Sequence, residues 1–292
     1  MKAMILAAGL GTRLRPLTDD RPKALVELSG RTLLEVTLSR LRAFGVTEVI
    51  VNVHHFADKV VDYLKSNNNF GMRIEISRED VLLDTGGGLK KAAWFFLEDS
   101  SRRHSKSDDS NQIDEPFLLH NVDVISNIDL RRMLQCHNEN RALATLAVQA
   151  RETSRYLLFN DNLQLSGRRA GLDGTPALVS SIPANSIRER SASHPAEIAS
   201  GTAIPGCPPQ TTEAPKDSLQ ALAFSGIHVL SPRLLPMLTE EGIFSIIPSY
   251  LRISAQDQKI LAFRADQYYW RDLGRPADLA QAALDLQKKA PL

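Results

Sequence analysis

Met4-Ile5-Leu6-Ala7-Ala8-Gly9-Leu10-Gly11-Thr12-Arg13-Leu14-Arg15-Pro16, with Arg21-Pro22-Lys23 close behind, is the stretch that decides the fold. A short apolar run ends in a glycine turn, as a buried strand does when it hands the chain to a ligand site at its C-terminal end. The glycines bare backbone N–H groups. Arg13 and Lys23 bring positive charge into the same connection, which is what a polyphosphate requires. Arg13 offers a planar donor fork and Lys23 a compact point charge. Pro16 and Pro22 stiffen the loop and lower the entropy lost on gripping a ligand. The plain alternative is a tight turn with surface cations nearby by chance.

Outward from this turn the chain alternates. Met4–Ala8 reads as a buried strand. Thr32–Phe44 reads as a helix with Leu33, Leu34, Leu38, Leu41 and Phe44 on one face and Gly45 as its stop. Strands are predicted at Glu48–Val53, Met72–Ser77, Pro116–Asn121, Leu143–Ala150, Leu222–Leu230 and Lys259–Phe263, with a short one ending at Asp272. Helices are predicted at Ala57–Ser66, Leu89–Leu97, Ile128–His137, Ile243–Ile253 and Pro276–Gln287. Such alternation implies parallel βαβ units and an α/β fold built on an open twisted sheet. Residues 98–115 are polar and charge-mixed. Residues 167–220 are rich in Ser, Ala, Pro and Thr and lack aromatics. Neither buries enough apolar surface to offset ordering entropy. Both read as mobile insertions in a single domain over 1–292. No internal repeat is present, so no β-helix domain is expected within these residues.

The bulk numbers narrow the function. Lys and Arg total 35 against 34 Asp and Glu, a net charge of +1, which argues against a dedicated nucleic-acid binder. The only cysteines, Cys136 and Cys207, are far apart, so no disulfide framework or zinc site is implied and a cytoplasmic location fits. The apolar run before Gly9 is shorter than the roughly 7–15 residues of a signal-peptide core. No stretch reaches the ~18 apolar residues of a membrane span.

The individual motifs are weak alone. The dinucleotide fingerprint wants a third glycine where Leu14 stands, and the Walker Gly-Lys-Ser/Thr ending is absent. Asp123 follows the apolar strand Pro116–Asn121, where a Mg²⁺ ligand is expected; a helix cap is an equal reading. Asp272 is the same case. Asp84-Thr85-Gly86-Gly87-Gly88 precedes a helix, and its glycines let a flat ligand approach the backbone. His54 and His55 point to opposite faces of a strand and cannot easily chelate together. Trp94-Phe95-Phe96 reads as core. Two acids, a cationic loop and a glycine run together form a joint pattern that chance explains poorly.

Together these residues resemble the sugar-1-phosphate nucleotidyltransferases, whose signature G-x-G-x-R-x-x-P-x-T followed by P-K is met by Gly9 to Thr18 and Pro22-Lys23. The resemblance covers Met1–Leu97 and Pro116–Gln287 apart from residues 167–220. It implies a Rossmann-like, mostly parallel twisted sheet with helices on both faces. It also implies a Mg²⁺-dependent enzyme that joins an NTP and a sugar 1-phosphate, with no nucleic-acid or membrane partner. Carried onto this chain, it implies that Ala8, Gly9, Gly11, Thr12 and Arg13 cradle the nucleotide phosphates. Lys23 reaches the attacked phosphate or the attacking one, making Arg13 and Lys23 the catalytic cations. Gly86 and Gly87 lie against the base, Gly226 lies by the sugar, and Asp123 and Asp272 hold the metal. Leu83–Gly88 and Phe224-Ser225-Gly226-Ile227 look most like the branch that transfers uridylyl groups to N-acetylmuramate 1-phosphate. Guanylyl transfer to mannose or heptose 1-phosphate is similar. Val122 stands where the family has Gly, and is expected to crowd the ribose or sugar. The Glu-Lys-Pro segment of several relatives is not recognisable. A non-catalytic nucleotide-sugar sensor should have lost one of these charged residues, and all four are here. A nicotinamide oxidoreductase should carry an acid at the end of the second strand, where Asn52 and His54 lie.

Overall fold

A strand-then-helix rhythm obliges each parallel strand to return over one face of the sheet, and the direction of travel decides which face. A computed structural model of the chain describes residues 1–102, 115–171, 173–179, 188–189, 205–208 and 218–288. Its main elements in chain order are β1 (Lys2–Leu6), α1 (Leu33–Phe44), β2 (Glu48–Val53), α2 (Ala57–Ser66), β3 (Arg73–Arg78), α3 (Asp84–Lys91), α4 (Ala93–Arg102), β4 (Phe117–Asn121), β5 (Val124–Ser126), α5 (Leu130–Asn140), β6 (Ala144–Gln149), β7 (Arg155–Phe159), β8 (Leu165–Ala170), β9 (Ser218–Leu230), α6 (Ile246–Ser254), β10 (Ile260–Arg264), β11 (Trp270–Asp272) and α7 (Pro276–Gln287). The chain divides into two compact units. One comprises Met1–Ile128, Ser231–Ile246 and Tyr268–Leu292; the other comprises Asp129–Leu230 and Ile247–Gln267.

In the first unit four parallel strands lie in the order β4-β1-β2-β3. From β1 through α1 to β2 and through α2 to β3 the chain moves one way; through α3 and α4 it crosses back to β4 on the far side of β1. With right-handed crossovers that reversal puts α1 and α2 on one face and α3 and α4 on the other. It also makes the gap between the C-terminal ends of β1 and β4 the switch point where open α/β sheets bind ligands. The register sets Leu6 beside both Asn52 and Asn121, and Asn52 beside Ser77, so the four strands finish level. α1 begins where Thr32 caps it, its Oγ1 accepting from the Glu35 N–H at 3.1 Å, and ends at Gly45 with φ 101°. Its leucines 33, 34, 38 and 41 are fully buried, as are Met4, Ile5, Val49 to Val51 and Leu119 in the strands.

In the second unit β9 pairs antiparallel with β6 and with β7, β7 pairs antiparallel with β8, and β10 runs parallel to β6. Its core holds Leu146, Leu158, Phe159, Leu222, Tyr250, Ile253 and Phe263. β9 is irregular between Phe224 and His228, and Gly226 lies in that irregularity with φ 74°, a conformation that favours glycine.

Several expectations need correction. The helix expected at Leu89–Leu97 is two helices, and the first already contains all three glycines of the 86–88 run. Of the insertion expected at 98–115, the part to Arg102 finishes α4, and residues 103–114 lie outside the described residues. Of the one expected at 167–220, Gly167–Ala170 complete β8 and Ser218–Gln220 start β9, because each finds a strand partner that composition cannot reveal. Residues 172, 180–187, 190–204 and 209–217 lie outside the described residues. Cys136 on α5 and Cys207 form a disulfide, with Cα atoms 5.7 Å apart, against the expectation of none. Their separation of 71 residues hid the pairing. It is packing that brings the Cys207 segment up, with the Gly206 carbonyl accepting from the Arg264 N–H of β10 at 2.8 Å. Trp94 is also not core: it is 42% exposed, while Phe95 and Phe96 are buried. Among the described residues no helix is long and apolar enough to cross a membrane.

Candidate active site

The loop after β1 is held from both ends. The Ala7 N–H donates to Asn52 Oδ1 at 2.7 Å, and the Thr18 hydroxyl donates to the Gly11 carbonyl at 2.9 Å. Gly11 has φ 66°, and a Cβ there would fall 2.9 Å from Thr18 Cγ2 and 3.1 Å from Lys23 Cβ. The second glycine is therefore required by the loop's own folding. Gly9 is different: it is exposed and nothing lies within 4 Å of where its Cβ would be, which leaves room for a ligand against the backbone. Ala8 is buried beneath it, and Thr12 and Arg13 lie in a short 3₁₀ turn pinned by buried Leu14, with Arg13 exposed.

Four charged side chains expected at the site converge in the first unit. Lys23, 8% exposed, forms an ion pair with Asp123, two residues past the end of β4. β11 pairs antiparallel with β5 so that Asp272 stands opposite Val124, and the Leu273 N–H donates to the Asp123 carbonyl at 2.7 Å. The two carboxylates are thus adjacent although far apart in sequence. Burial, and then the negative charge of Asp123, push the Asp272 carboxyl upward; Lys23, the Gly274 N–H and Arg13 pull it back. The Gly274 N–H donates to Asp272 Oδ1 at 2.7 Å, and a Cβ on Gly274 would fall 2.6 Å from both Asp272 Oδ1 and Arg13 Nη2. Glycine at 274 is what lets the Arg13 guanidinium lie against this turn. Among the described residues Arg13 has no ion-pair or hydrogen-bond partner, so its donor fork is available.

Arg40, on α1, supports this corner from inside. It donates to Ser126 Oγ and, at 2.6 Å, to the Ile128 carbonyl, fixing the end of β5; burial holds its guanidinium down to about 10. His120, wholly buried in β4, shares this interior. Its Nδ1–H is assigned as donating to the Asn121 carbonyl at 2.7 Å, and Nε2 has no partner among the described residues. Desolvation, reinforced by the charge of Arg40, holds the imidazole down to about 3, so it is neutral at physiological pH.

The glycine run packs against its own chain. The Gly86 and Gly87 N–H groups both donate to the Phe244 carbonyl, at 2.9 and 3.2 Å, and the Phe244 N–H donates to the Leu83 carbonyl at 3.1 Å. A Cβ on Gly86 would run into the Phe244 ring, and one on Gly87 would fall 2.5 Å from the Gly242 carbonyl. A Cβ on Gly88 would fall 2.8 Å from Glu79 Oε1 and 2.9 Å from Asn52 Nδ2. Close approach by the 242–244 turn and by two buried polar side chains explains all three glycines.

Gly226 belongs to the second unit. Val122 is 3% exposed, its side chain turned into the interior. His54 Nδ1 bonds the Glu79 carbonyl at 2.8 Å and His55 packs on Phe56, so the two do not act together. Among the described residues no three His, Cys, Asp or Glu side chains form a metal cage. Glu79, Arg40 and Phe244 were not singled out from sequence, and Asn52 entered only as the non-acidic end of the second strand. Asn52 and Glu79 carry a usable signal, each being a polar residue at or just beyond the end of an otherwise β-rich strand.

With this geometry in place, the family described as Nucleotidyl transferase matches residues 2–158, more than half the chain and enough to take in the loop, Lys23, the glycine run and Asp123. The chain belongs to the nucleotidyl transferase family. Among curated relatives, it is 56% identical over 93 residues to N-acetylmuramate alpha-1-phosphate uridylyltransferase of Caulobacter vibrioides, covering 31% of this chain and 38% of that protein. It is 27% identical over 298 residues to mannose-1-phosphate guanyltransferase of Candida albicans, covering 100% of this chain and 67% of that one. The match to the first relative thus spans well under half of that protein's length. Among solved structures, HddC from Yersinia pseudotuberculosis with GMP-PN superposes with a TM-score of 0.62 at 18% identity, covering 98% of this chain and 99% of that one. UDP-glucose pyrophosphorylase with UDP-glucose does so with 0.63 at 16% identity, covering 99% and 98%. At these identities the likeness is one of fold, and it agrees with a Rossmann-like, mostly parallel α/β sheet.

Proposed function

We propose that this chain transfers a nucleotidyl group from an NTP to a sugar 1-phosphate, giving an NDP-sugar and pyrophosphate, with residues 1–292 acting as one catalytic domain in the cytoplasm. The observation that carries the proposal is the meeting of Arg13, Lys23, Asp123 and Asp272 at the switch point of a parallel sheet, beside an open Gly9. The sugar-phosphate oxygen is already an anion at neutral pH and attacks the α-phosphorus in line as pyrophosphate leaves. No general base is needed; the task is to position two anions and offset their charge. The Gly9 to Arg13 segment holds the triphosphate, with Arg13 stabilising charge on departing pyrophosphate. Lys23 neutralises the phosphate under attack. Gly86 and Gly87 shape the wall that receives the base.

Asp123 and Asp272 fit a Mg²⁺ site. They lie close enough for one charge to raise the other carboxyl, and one or two carboxylates completed by substrate phosphates are the usual Mg²⁺ shell. Mg²⁺ bound there supplies Lewis-acid neutralisation of the crowded phosphates.

UTP with N-acetylmuramate 1-phosphate is the favoured pair, supported by the identity to the uridylyltransferase across 93 residues and giving a role in cell-wall precursor supply. Guanylyl transfer to mannose or heptose 1-phosphate is the second reading, supported by relatives aligned along the whole chain. The test is a matrix of UTP, GTP, CTP, ATP and dTTP against a panel of sugar 1-phosphates, read as phosphate released in the presence of pyrophosphatase. Preference for UTP with N-acetylmuramate 1-phosphate is expected. Preference for GTP overturns the substrate choice, and no release with any pair overturns the reaction.

A further inference from the structure

Asn52 is the penultimate residue of β2, and Glu79 directly follows β3. They are 3% and 5% exposed. They form an unbroken chain of hydrogen bonds across the C-terminal edge of the sheet. Asn52 Oδ1 accepts from the Ala7 N–H at 2.7 Å, Asn52 Nδ2 donates to Glu79 Oε1 at 2.7 Å, and Glu79 Oε2 accepts from the Leu83 N–H at 2.9 Å. One end is the first residue of the phosphate loop. The other is the residue before α3, whose carbonyl accepts from Phe244. Gly88 lacks a side chain because this pair occupies the space.

A buried carboxylate is costly, and among the described residues no cation pairs with Glu79. An apolar side chain would pack at such a position at lower cost. What the polar pair supplies is direction: each donor has one acceptor, which fixes the loop and the glycine-containing helix relative to one another. We propose that Asn52 and Glu79 are positioning residues that set the spacing between the phosphate loop and the glycine run, so that one nucleotide reaches both. The inference rests on the nucleotide-binding reading above.

Polarity reversal tests it. Asn52→Asp sets carboxylate against carboxylate, and Glu79→Gln forces one donor to face another. In the double variant Asn52→Asp/Glu79→Gln, the carboxylate at 52 accepts from Ala7 and from the amide at 79, whose oxygen accepts from Leu83; every bond is restored with the middle one reversed. Each single variant should raise the KM for the NTP about 10-fold, the scale of losing a supporting hydrogen bond, while the KM for the sugar phosphate moves by less than about 2-fold. The double variant should return the NTP KM to within about 3-fold of wild type. Single variants with wild-type NTP KM, or a double variant no better than the worse single, overturn the proposal; so does a lowered melting temperature with unchanged kinetic constants. If Asn52→Asp does not fold, Glu79→Gln against the double carries the same comparison. If wild-type protein transfers nothing, the proposed reaction fails by itself. The positioning role is then read from equilibrium dialysis of UTP and GTP against the same variants, with the same pattern in Kd expected and a flat Kd overturning it.

Discussion

Replacing His120 with Leu should flatten the acid side of the stability profile. The ring is wholly buried in β4 and is held down to about 3 from an ordinary value of 6.5. Between those values the unfolded chain binds a proton at this imidazole and the folded chain does not. Stability therefore rises with pH across that window and is level, as far as this group is concerned, above 6.5. At pH 4.5 the folded state forgoes about two units of protonation, roughly 3 kcal/mol relative to pH 7.5. The variant has no such group, so its loss between pH 7.5 and 4.5 should be smaller than wild type's by that amount. Urea unfolding at several pH values, with free energies extrapolated to water, measures the difference directly. At pH 7.5 the substitution forfeits only the bond from Nδ1 to the neighbouring Asn121 carbonyl, since Nε2 has no partner among the described residues. Parallel pH profiles for the two proteins would refute the reasoning, because they would mean that the folded state accepts the proton.

Three further outcomes are expected. Arg13→Ala and Asp123→Ala should each lower kcat by at least ~10²-fold at saturating Mg²⁺, the scale of losing one preorganised charge contact; near-wild-type turnover by either counts against the assigned site. Reducing the Cys136–Cys207 bond, or Cys207→Ser, should cost up to about 4 kcal/mol for a loop of 71 residues; unfolding with and without dithiothreitol tests this, and identical curves contradict it. Gly86→Ala should destabilise by about 1–3 kcal/mol through overpacking against Phe244, and Phe244→Ala in the same chain should recover part of that. A chemical melt in which Gly86→Ala alone is neutral shows that the 242–244 turn yields freely.

The parts of the fold legible in the sequence are those with a local cause. Thr32 and Gly45 bound α1 by capping chemistry, and Pro276 starts α7 where expected. The convergence of the four charged residues was legible because Arg13 sits in the glycine loop, Lys23 in the same connection and each Asp at a strand end, where side chains serve ligands more than packing. β7 and β8 escaped because their order comes from antiparallel partners and their residues do not alternate cleanly. The causes of the glycine run also escaped. Gly86 needs Phe244 and Gly88 needs Asn52 with Glu79, and such requirements appear only once distant segments meet. Arg40 looks like any helical surface arginine until β5 is laid over it.

The pairing of β11 with β5 has a consequence for synthesis. Asp272 comes to Asp123 only when the Tyr268–Leu292 segment returns to a unit otherwise made mostly of the first 128 residues. On the ribosome, the Gly9–Arg13 loop and Lys23 emerge early, and Asp272 joins Asp123 only once the chain has been made past residue 272. A nascent chain stalled before residue 268 therefore presents the Gly9–Arg13 loop and Asp123 without Asp272. A chain truncated at residue 158, where the family match stops, should hold phosphate weakly and turn nothing over. The proposed chemistry is thus coupled to synthesis beyond residue 272, far along the chain from Asp123.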